Sequence, residues 1–414
     1  MAALQVISDR TAGLPDDRLN FRRYVDPIVS VLTDPNTETP FTIGIFGTWG
    51  SGKSTLLQMI DEELERGHKT KFVRVHFDPW VHRSEENMLV PLLHTLNDTL
   101  KTEESRFLTA IKDIGKILLV ICTDILLKKF TANTLSLEKI SEAQKTIMEE
   151  KGKVESEMRK LYKTLQGVAD SVYSNEAKIV FFIDNLDRCQ PDQIIDVLES
   201  VKLFLNLEHT FVLLAVDKEV IDHGIQVKYS AFKFGQREAV VGTEYLEKMV
   251  QLPLPLYPLQ ATQIGEFIDS LNPSQLVKDQ AHLLQSILQP NPRKVKRALN
   301  ILNITDAIAN ATPGLNLKLD LVARLVVLQM QSSDLYQEVL KIPDLVVALE
   351  GLYQKGKQID KLSDFEEFTI LRDEIQKLSK IYYQPNSYLS DMFAESSFRS
   401  ERSKLPLYLS MLGG

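Results

Sequence analysis

The chain is poor in the residues that build covalent frameworks and metal centres. Of its 414 residues only two are cysteine, Cys122 and Cys189, and the seven histidines are scattered without zinc-ligand spacing. Both facts argue against a disulfide scaffold and a structural zinc module. A basic excess is also missing. Lys and Arg number 48 against 56 Asp and Glu, a net charge of -8, which disfavours broad electrostatic binding to nucleic acid. Long apolar runs are lacking too. The longest, IGKILLVICTDILL at 114–127, carries Lys116 and Asp124 and falls short of the roughly 20 residues a spanning helix needs. It is expected to be a buried helix, with membrane contact not expected. The opening MAALQVISDR has no basic segment followed by an apolar one, so no secretory leader is expected and the expected location is the cytoplasm. Apolar residues at 44% and charged residues at 25% suffice for a normal core without staples.

Hydrophobic patterning divides the chain. An amphipathic helix is expected over 16–33, then a turn-rich break at 34–40. PFTIGIF (40–46), KFVRVHFD (71–78), KIVFFID (178–184) and TFVLLAVD (210–217) read as buried strands, with helices over 54–66 and 191–207 between them. The interval 85–175 is helical in pattern. Within it an apolar heptad seam from Leu137 to Val172, with Gln144 and Lys151 at core positions, fits either a coiled-coil arm or a helix packed on its own domain. QLPLPLYPLQ (251–260) has three prolines in ten residues and reads as a linker. Helices are expected beyond it at 261–271, 274–289, 292–310, 316–331, 334–352 and 363–382. The expected domains are a lead-in over 1–40, a core over 41–255 with its insertion at 85–175, and an all-α part over 256–414.

GTWGSGKS, residues 47–54, fits G-x-x-x-x-G-K-[ST]. Chance gives this pattern in roughly one or two chains in a hundred of this length, and here a strand precedes it and a helix follows. Glycine permits the backbone angles and close approach that turn amide hydrogens toward phosphate oxygens. The expected nucleotide-binding residues are Gly47, Thr48, Trp49, Gly50, Ser51, Gly52, Lys53, Ser54 and Thr55. Lys53 reaches the β- and γ-phosphates, and the Ser54 hydroxyl ligates Mg²⁺.

The metal needs an acid at the tip of a neighbouring strand, and Asp184 stands there. The strand 71–78 lies between cradle and acid in sequence, as in the additional-strand, RecA/AAA-like class of P-loop NTPases. Hydrolysis also needs a group that polarises water. Asn185 accepts no proton and can only orient water. Asp187 is the nearest replacement base; a salt bridge to Arg188 is the alternative reading. Asp217 ends the next strand and is a candidate γ-phosphate sensor or a plain turn aspartate.

GIFGTWGSGKSTLL, VRVHFDPW, IVFFIDNLDRCQPD, FVLLAVDKEVI, YLEKMVQLPLPL and NPRKVKRALNIL, in that order, resemble the KAP family of P-loop NTPases over about residues 15–310. The resemblance implies an ATPase core, ATP rather than GTP, and a magnesium aspartate at Asp184. It also implies a basic lid element at 293–297, whose Arg293 and Arg297 share a helix face with Asn300 and could contact the γ-phosphate. Where the family commonly has D-D-L-D-R, this chain has D-N-L-D-R, a loss that costs about 10²–10⁴ in rate when the carboxylate is the proton acceptor. Paired transmembrane helices found in many members are not carried over, since the corresponding interval here looks soluble.

Two functions from different classes follow. One is an ATP-driven switch that controls self-assembly or engagement of a separate effector protein, in signalling or anti-phage defence as the family implies. The other is a nucleotide-binding scaffold without hydrolysis. A nucleic-acid-stimulated motor has only NPRKVKR in its favour.

Overall fold

The computed structural model describes residues 6–115, 159–228, 248–355 and 368–412, less short gaps at 86–87, 103–105, 113, 160, 205, 258, 272, 274, 289–290, 313–315, 369–370 and 385–386. The heptad seam up to residue 158 and the apolar run beyond residue 115 lie outside the described residues. The chain divides into two compact units: Thr11–Tyr257, and Met1–Arg10 together with Pro258–Gly414.

The first unit is built on five parallel strands: β1 (Phe41–Phe46), β2 (Phe72–Phe77), β3 (Lys178–Ile183), β4 (Thr210–Val216) and β5 (Leu252–Pro255), in the order β2-β3-β4-β1-β5. β4 lies between the cradle strand β1 and the acid strand β3, so the sheet has an additional strand between cradle and acid; β2, which separates them in sequence, is at the sheet's edge. The continuous apolar runs are explained by burial on two faces. Val180, Phe182, Phe211 and Leu213 pack with Ile43 and Ile45 against helices α1 (Arg22–Thr33) and α2 (Lys53–His68). Ile179, Phe181, Ile183, Val212 and Leu214 face the other way, against α3 (Leu89–Lys101), the helical residues 161–173 and α4 (Pro191–Phe204). α5 (Lys218–Lys228) follows β4. Each βα turn therefore lies at the same carboxyl edge of the sheet.

Four expectations about the elements need correction. The proline-rich 251–260 is not wholly linker: Leu252–Pro255 forms an edge strand parallel to β1. Proline lacks an amide donor and is tolerated on an edge; here Gln251 N and Leu256 N, flanking the prolines, donate to Thr42 O and Phe46 O. The helix expected from residue 16 begins at Arg22, because the Asp17 carboxylate accepts the amides of Leu19, Phe21 and Arg22 and so serves as their partner outside a helix. The stretch 334–352 is two helices, Ser333–Lys341 and Asp344–Lys355, separated at Pro343, whose ring is incompatible with a helix interior. Likewise 274–289 splits into Gln275–Lys278 and Ala281–Ile287.

The second unit is helical throughout its described part. Its core is formed by Leu321, Leu325, Val326, Leu345, Leu349, Phe393, Phe398 and Tyr408. Helices Tyr388–Ala394 and Leu405–Met411 carry part of it; both are too short for a periodic signal in the sequence.

Candidate nucleotide site

β1 ends at Phe46 and the chain turns at once into the glycine-rich loop. Gly50 and Gly52 have φ of 85° and 105°, the left-handed region that costs a side-chain-bearing residue strain. Gly47 N donates to Val216 O at 3.1 Å, tying the loop's start to the tip of β4. A Cβ at Gly47 would meet Ser51 Oγ at 2.5 Å, and one at Gly52 would meet the Phe21 ring at 2.6 Å. The loop is therefore held tight from inside and from behind. Lys53, the first residue of α2, is buried, and its Nζ donates to the carbonyls of Gly47 (2.7 Å) and Thr48 (3.1 Å). Ser51 Oγ is buried without a hydrogen-bond partner among the described residues. Trp49 stands exposed at the loop's tip.

The remaining candidates lie on the same sheet edge or elsewhere, as follows. Asp184 follows β3; its N–H donates to Phe77 O, and its Oδ1 accepts Asn185 N at 2.8 Å. Asp217 follows β4, and its Oδ1 accepts Glu219 N at 3.2 Å, the bond of a helix cap at the start of α5. After Asp184 the chain bends at Asn185, which has φ 60° and ψ 25°, into a short turn over Leu186–Arg188. The bend puts the half-buried Asp187 carboxyl in the electrostatic field of Lys53 and Asp184. Burial pushes its pKa above the ordinary carboxylate range; Lys53 opposes the shift and Asp184 adds to it. Arg188, the salt-bridge alternative, lies with its guanidinium 5.8 Å from the centroid of the Trp80 ring.

Arg293 and Arg297 belong to the helix Pro292–Ala311 in the other unit. Each places its Nε 3.5 Å from Asp9 Oδ2. Asn300, on the same face, exchanges two bonds with the backbone of Ile7, at 2.7 and 2.8 Å. The face thus holds the N-terminal segment, a pairing that sequence reading missed because the partners lie nearly three hundred positions apart.

Sequence reading also missed the role of Asp78. Its Oδ1 accepts Trp80 N at 3.0 Å, capping the turn Pro79–His82, and its Oδ2 accepts Asn185 Nδ2 at 2.7 Å. Aspartate before proline is a readable capping signal; the bond to Asn185 left no local trace. Cys189 lies in the same group. Burial, then the charges of Asp78 and Asp187, push its thiol up to about 11.

The residues fit a triphosphate and a hard divalent cation. The cradle would be filled by a Cβ at Gly47, and it contains a buried hydroxyl, Ser51 Oγ, that lacks a partner among the described residues. Ser54 and Asp184 are the oxygen donors that Mg²⁺ prefers. Among the described residues no helix is long and apolar enough to cross a membrane.

A family model described as the KAP family P-loop domain matches residues 21–309. The chain is 25% identical over 278 residues to the Phage T7 exclusion protein of Escherichia coli (strain K12), covering 59% of this chain and 34% of that one. Uncharacterized protein MJ0182 of Methanocaldococcus jannaschii is 24% identical over 169 residues, 34% of this chain and 87% of that protein. The chain thus spans about a third of the length of the phage exclusion protein. Among solved structures, the Aeropyrum pernix ORC1 protein in complex with DNA aligns over 95% of this chain and 82% of that one, at 11% identity and a TM-score of 0.36, too low to carry an inference.

Proposed function

Because this chain belongs to the KAP family of P-loop domains, we propose that it binds Mg·ATP at residues 47–54 and hydrolyses it as a conformational switch. One observation carries the reading: a glycine-bent loop at the tip of β1, with a buried lysine folded onto its carbonyls, lies on the same sheet edge as the acid that ends β3. Mg²⁺, held by Ser54 and Asp184 when bound, would offset the charge of the phosphates.

The protein's own groups act in this way. Lys53 exchanges its bonds to Gly47 and Thr48 for phosphate oxygens. Ser54 and Asp184 hold the cation. A water oxygen bonds to the γ-phosphorus, the bond from that phosphorus to the bridging oxygen breaks, and ADP and phosphate leave. Asp187 takes the water's proton, and Asp217 responds to loss of the γ-phosphate. Arg293 and Arg297 are assigned to the nucleotide response, since the carboxylate they share is an anion of the kind a phosphate could replace. The output is assembly of copies of this chain or engagement of a separate effector protein in the cytoplasm. The likeness to a protein named for phage exclusion supports anti-phage defence as the setting.

A second reading, a scaffold that binds nucleotide and does not turn it over, is favoured by Asn185 alone. Phosphate release from Mg·ATP, measured beside Lys53→Ala, separates the two. Release above the control supports the switch. Retained ATP binding with no release supports the scaffold, and release boosted by DNA or RNA supports a motor. Light scattering with ATP, ADP and no nucleotide tests the assembly step; one size in all three counts against it.

A further inference from the structure

Asn185 directly follows the acid assigned to the metal, and its side chain is engaged. Its Nδ2 donates to Asp78 Oδ2 at 2.7 Å, across 107 positions of sequence. β2 and β3 run in register to the pair Phe77 and Ile183, so Asp78 and Asp184 emerge side by side at the sheet edge. Asp78 is fixed there by its second oxygen, which accepts Trp80 N. Trp80 in turn has the guanidinium of Arg83 at 4.9 Å and that of Arg188 at 5.8 Å from its ring centroid. The Asp-Pro-Trp turn and the segment after Asp184 are therefore one physical unit.

These contacts decide which way the amide faces. A carboxylate only accepts, so the atom against Asp78 must be the amide nitrogen. The backbone of Asn185 is committed as well: its N–H donates to Asp184 Oδ1 and its C=O accepts Arg188 N at 3.2 Å. The remaining polar atom is Oδ1, which has no hydrogen bond among the described residues. It is an acceptor with fixed direction, one residue from the acid assigned to the metal.

We propose that Asp78 is a positioning residue for hydrolysis: it holds the Asn185 amide so that Oδ1 accepts a hydrogen bond from the attacking water. The inference rests on the ATPase reading above. Both Asp78 oxygens are already used by the protein, which assigns it to orientation and leaves the water's proton to Asp187. Asn185 then contributes alignment, which needs no proton transfer.

The test is a mutant cycle on the full chain with Mg·ATP, reading kcat, KM and the affinity for a fluorescent ATP analogue. Asp78→Asn and Asn185→Ala are each expected to lower kcat at least tenfold while leaving affinity within about twofold. Asp78→Asn added to Asn185→Ala is expected to lower kcat no further, because a residue acting through another has nothing left to position. Asp78→Ser keeps an acceptor for Trp80 N but is too short to reach Asn185, and serves where Asp78→Asn folds poorly. The proposal is overturned if either Asp78 variant slows Asn185→Ala as much as it slows the wild type, or if affinity falls while kcat holds. A wild type no faster than Lys53→Ala removes the hydrolysis reading and this proposal together; an active wild type without coupling removes only the proposal.

Discussion

The Phe21 ring is packed against Gly52: a Cβ added at that glycine would come within 2.6 Å of Phe21 Cζ. The aromatic side chain just before α1 is thus a wall behind the phosphate loop, and it restricts residue 52 to glycine for a second reason beyond its φ of 105°. Gly52→Ala is expected to weaken ATP binding at least tenfold and to cost about 1–2 kcal/mol of stability from the left-handed conformation alone. Adding Phe21→Ala relieves the collision but not the backbone strain. The double variant should therefore recover part of the affinity in a fluorescent-nucleotide titration and none of the strain seen in thermal melts. Full recovery would show that sterics alone constrain the position.

α2 is tied to β2 by an ion cluster. Arg74 Nη1 lies 2.6 Å from Asp61 Oδ1, Arg74 also contacts Glu65, and His76 Nε2 is 3.3 Å from Asp61. Burial alone would raise the Asp61 pKa; the hydrogen bond and charge of His76, with Arg74, outweigh it and hold the carboxyl below its ordinary value. A depressed acid contributes stability that is complete above its unfolded pKa, about 3.9, and fades as pH falls through the lower folded value. Asp61→Asn should therefore cost on the order of 1 kcal/mol at pH 7, with the gap to wild type closing in denaturant melts below about pH 4. A gap that stays constant down to pH 2 would assign the loss to packing.

Much of the first unit was readable because its signals are local. Val180–Ile183 and Phe211–Val216 are unbroken apolar runs, as strands covered on both faces must be, and the cradle announces itself through glycines whose φ the loop requires. The unread parts are pairings between distant residues. Asp78 and Asn185 follow separate strands, and a single side-chain bond imprints no period on either. β5 was hidden because proline is the usual mark against a strand, and only its place at the sheet edge makes Pro253 and Pro255 acceptable. The docking of Ile7 and Asp9 on Asn300, Arg293 and Arg297 has no sequence signal at all.

Cys189 reports on the acids around it. Its thiol is pushed up to about 11 by burial and by Asp78 and Asp187, so at pH 8.5 its thiolate fraction is about a hundredfold below that of a free cysteine. In a Cys122→Ser background, iodoacetamide should label the native protein about that much more slowly than the urea-unfolded chain. Asp78→Asn removes one of the charges and should speed native labelling. Unchanged labelling would mean that burial alone protects the sulfur.

Glu350 is a buried anion with defined tasks. It is 2% exposed, and its oxygens accept Ser396 Oγ, Phe398 N at 2.7 Å and Arg399 N at 2.8 Å. These bonds hold the start of the turn Phe398–Lys404 against the helix Asp344–Lys355. The charge also favours the protonated state of Arg324, whose pKa is lowered mainly by its own burial. Removing one partner from such a network leaves several donors unpaired, so Glu350→Ala should destabilise the second unit by about 3 kcal/mol in urea unfolding. Glu350→Gln keeps the shape and one good acceptor and should cost less. Equal losses would show that the charge, more than the bond count, holds the turn.

The N-terminal segment offers a last measurement, because its two attachments differ in kind. Asn300 grips the Ile7 backbone through two bonds of 2.7 and 2.8 Å in a half-buried setting. The Asp9 carboxylate meets Arg293 and Arg297 at 3.5 Å, with Asp9 and Arg297 largely exposed and Arg293 partly so, a geometry that contributes roughly 0–1 kcal/mol and weakens with salt. Trypsin cutting after Arg10 reads release of the segment. Asn300→Ala should raise the cleavage rate several-fold at any ionic strength, while Asp9→Ala should raise it less, and only at low salt. If Asp9→Ala matches Asn300→Ala, the arginine pair holds the segment, and an anion such as phosphate added to the wild type should then speed cleavage in the same way.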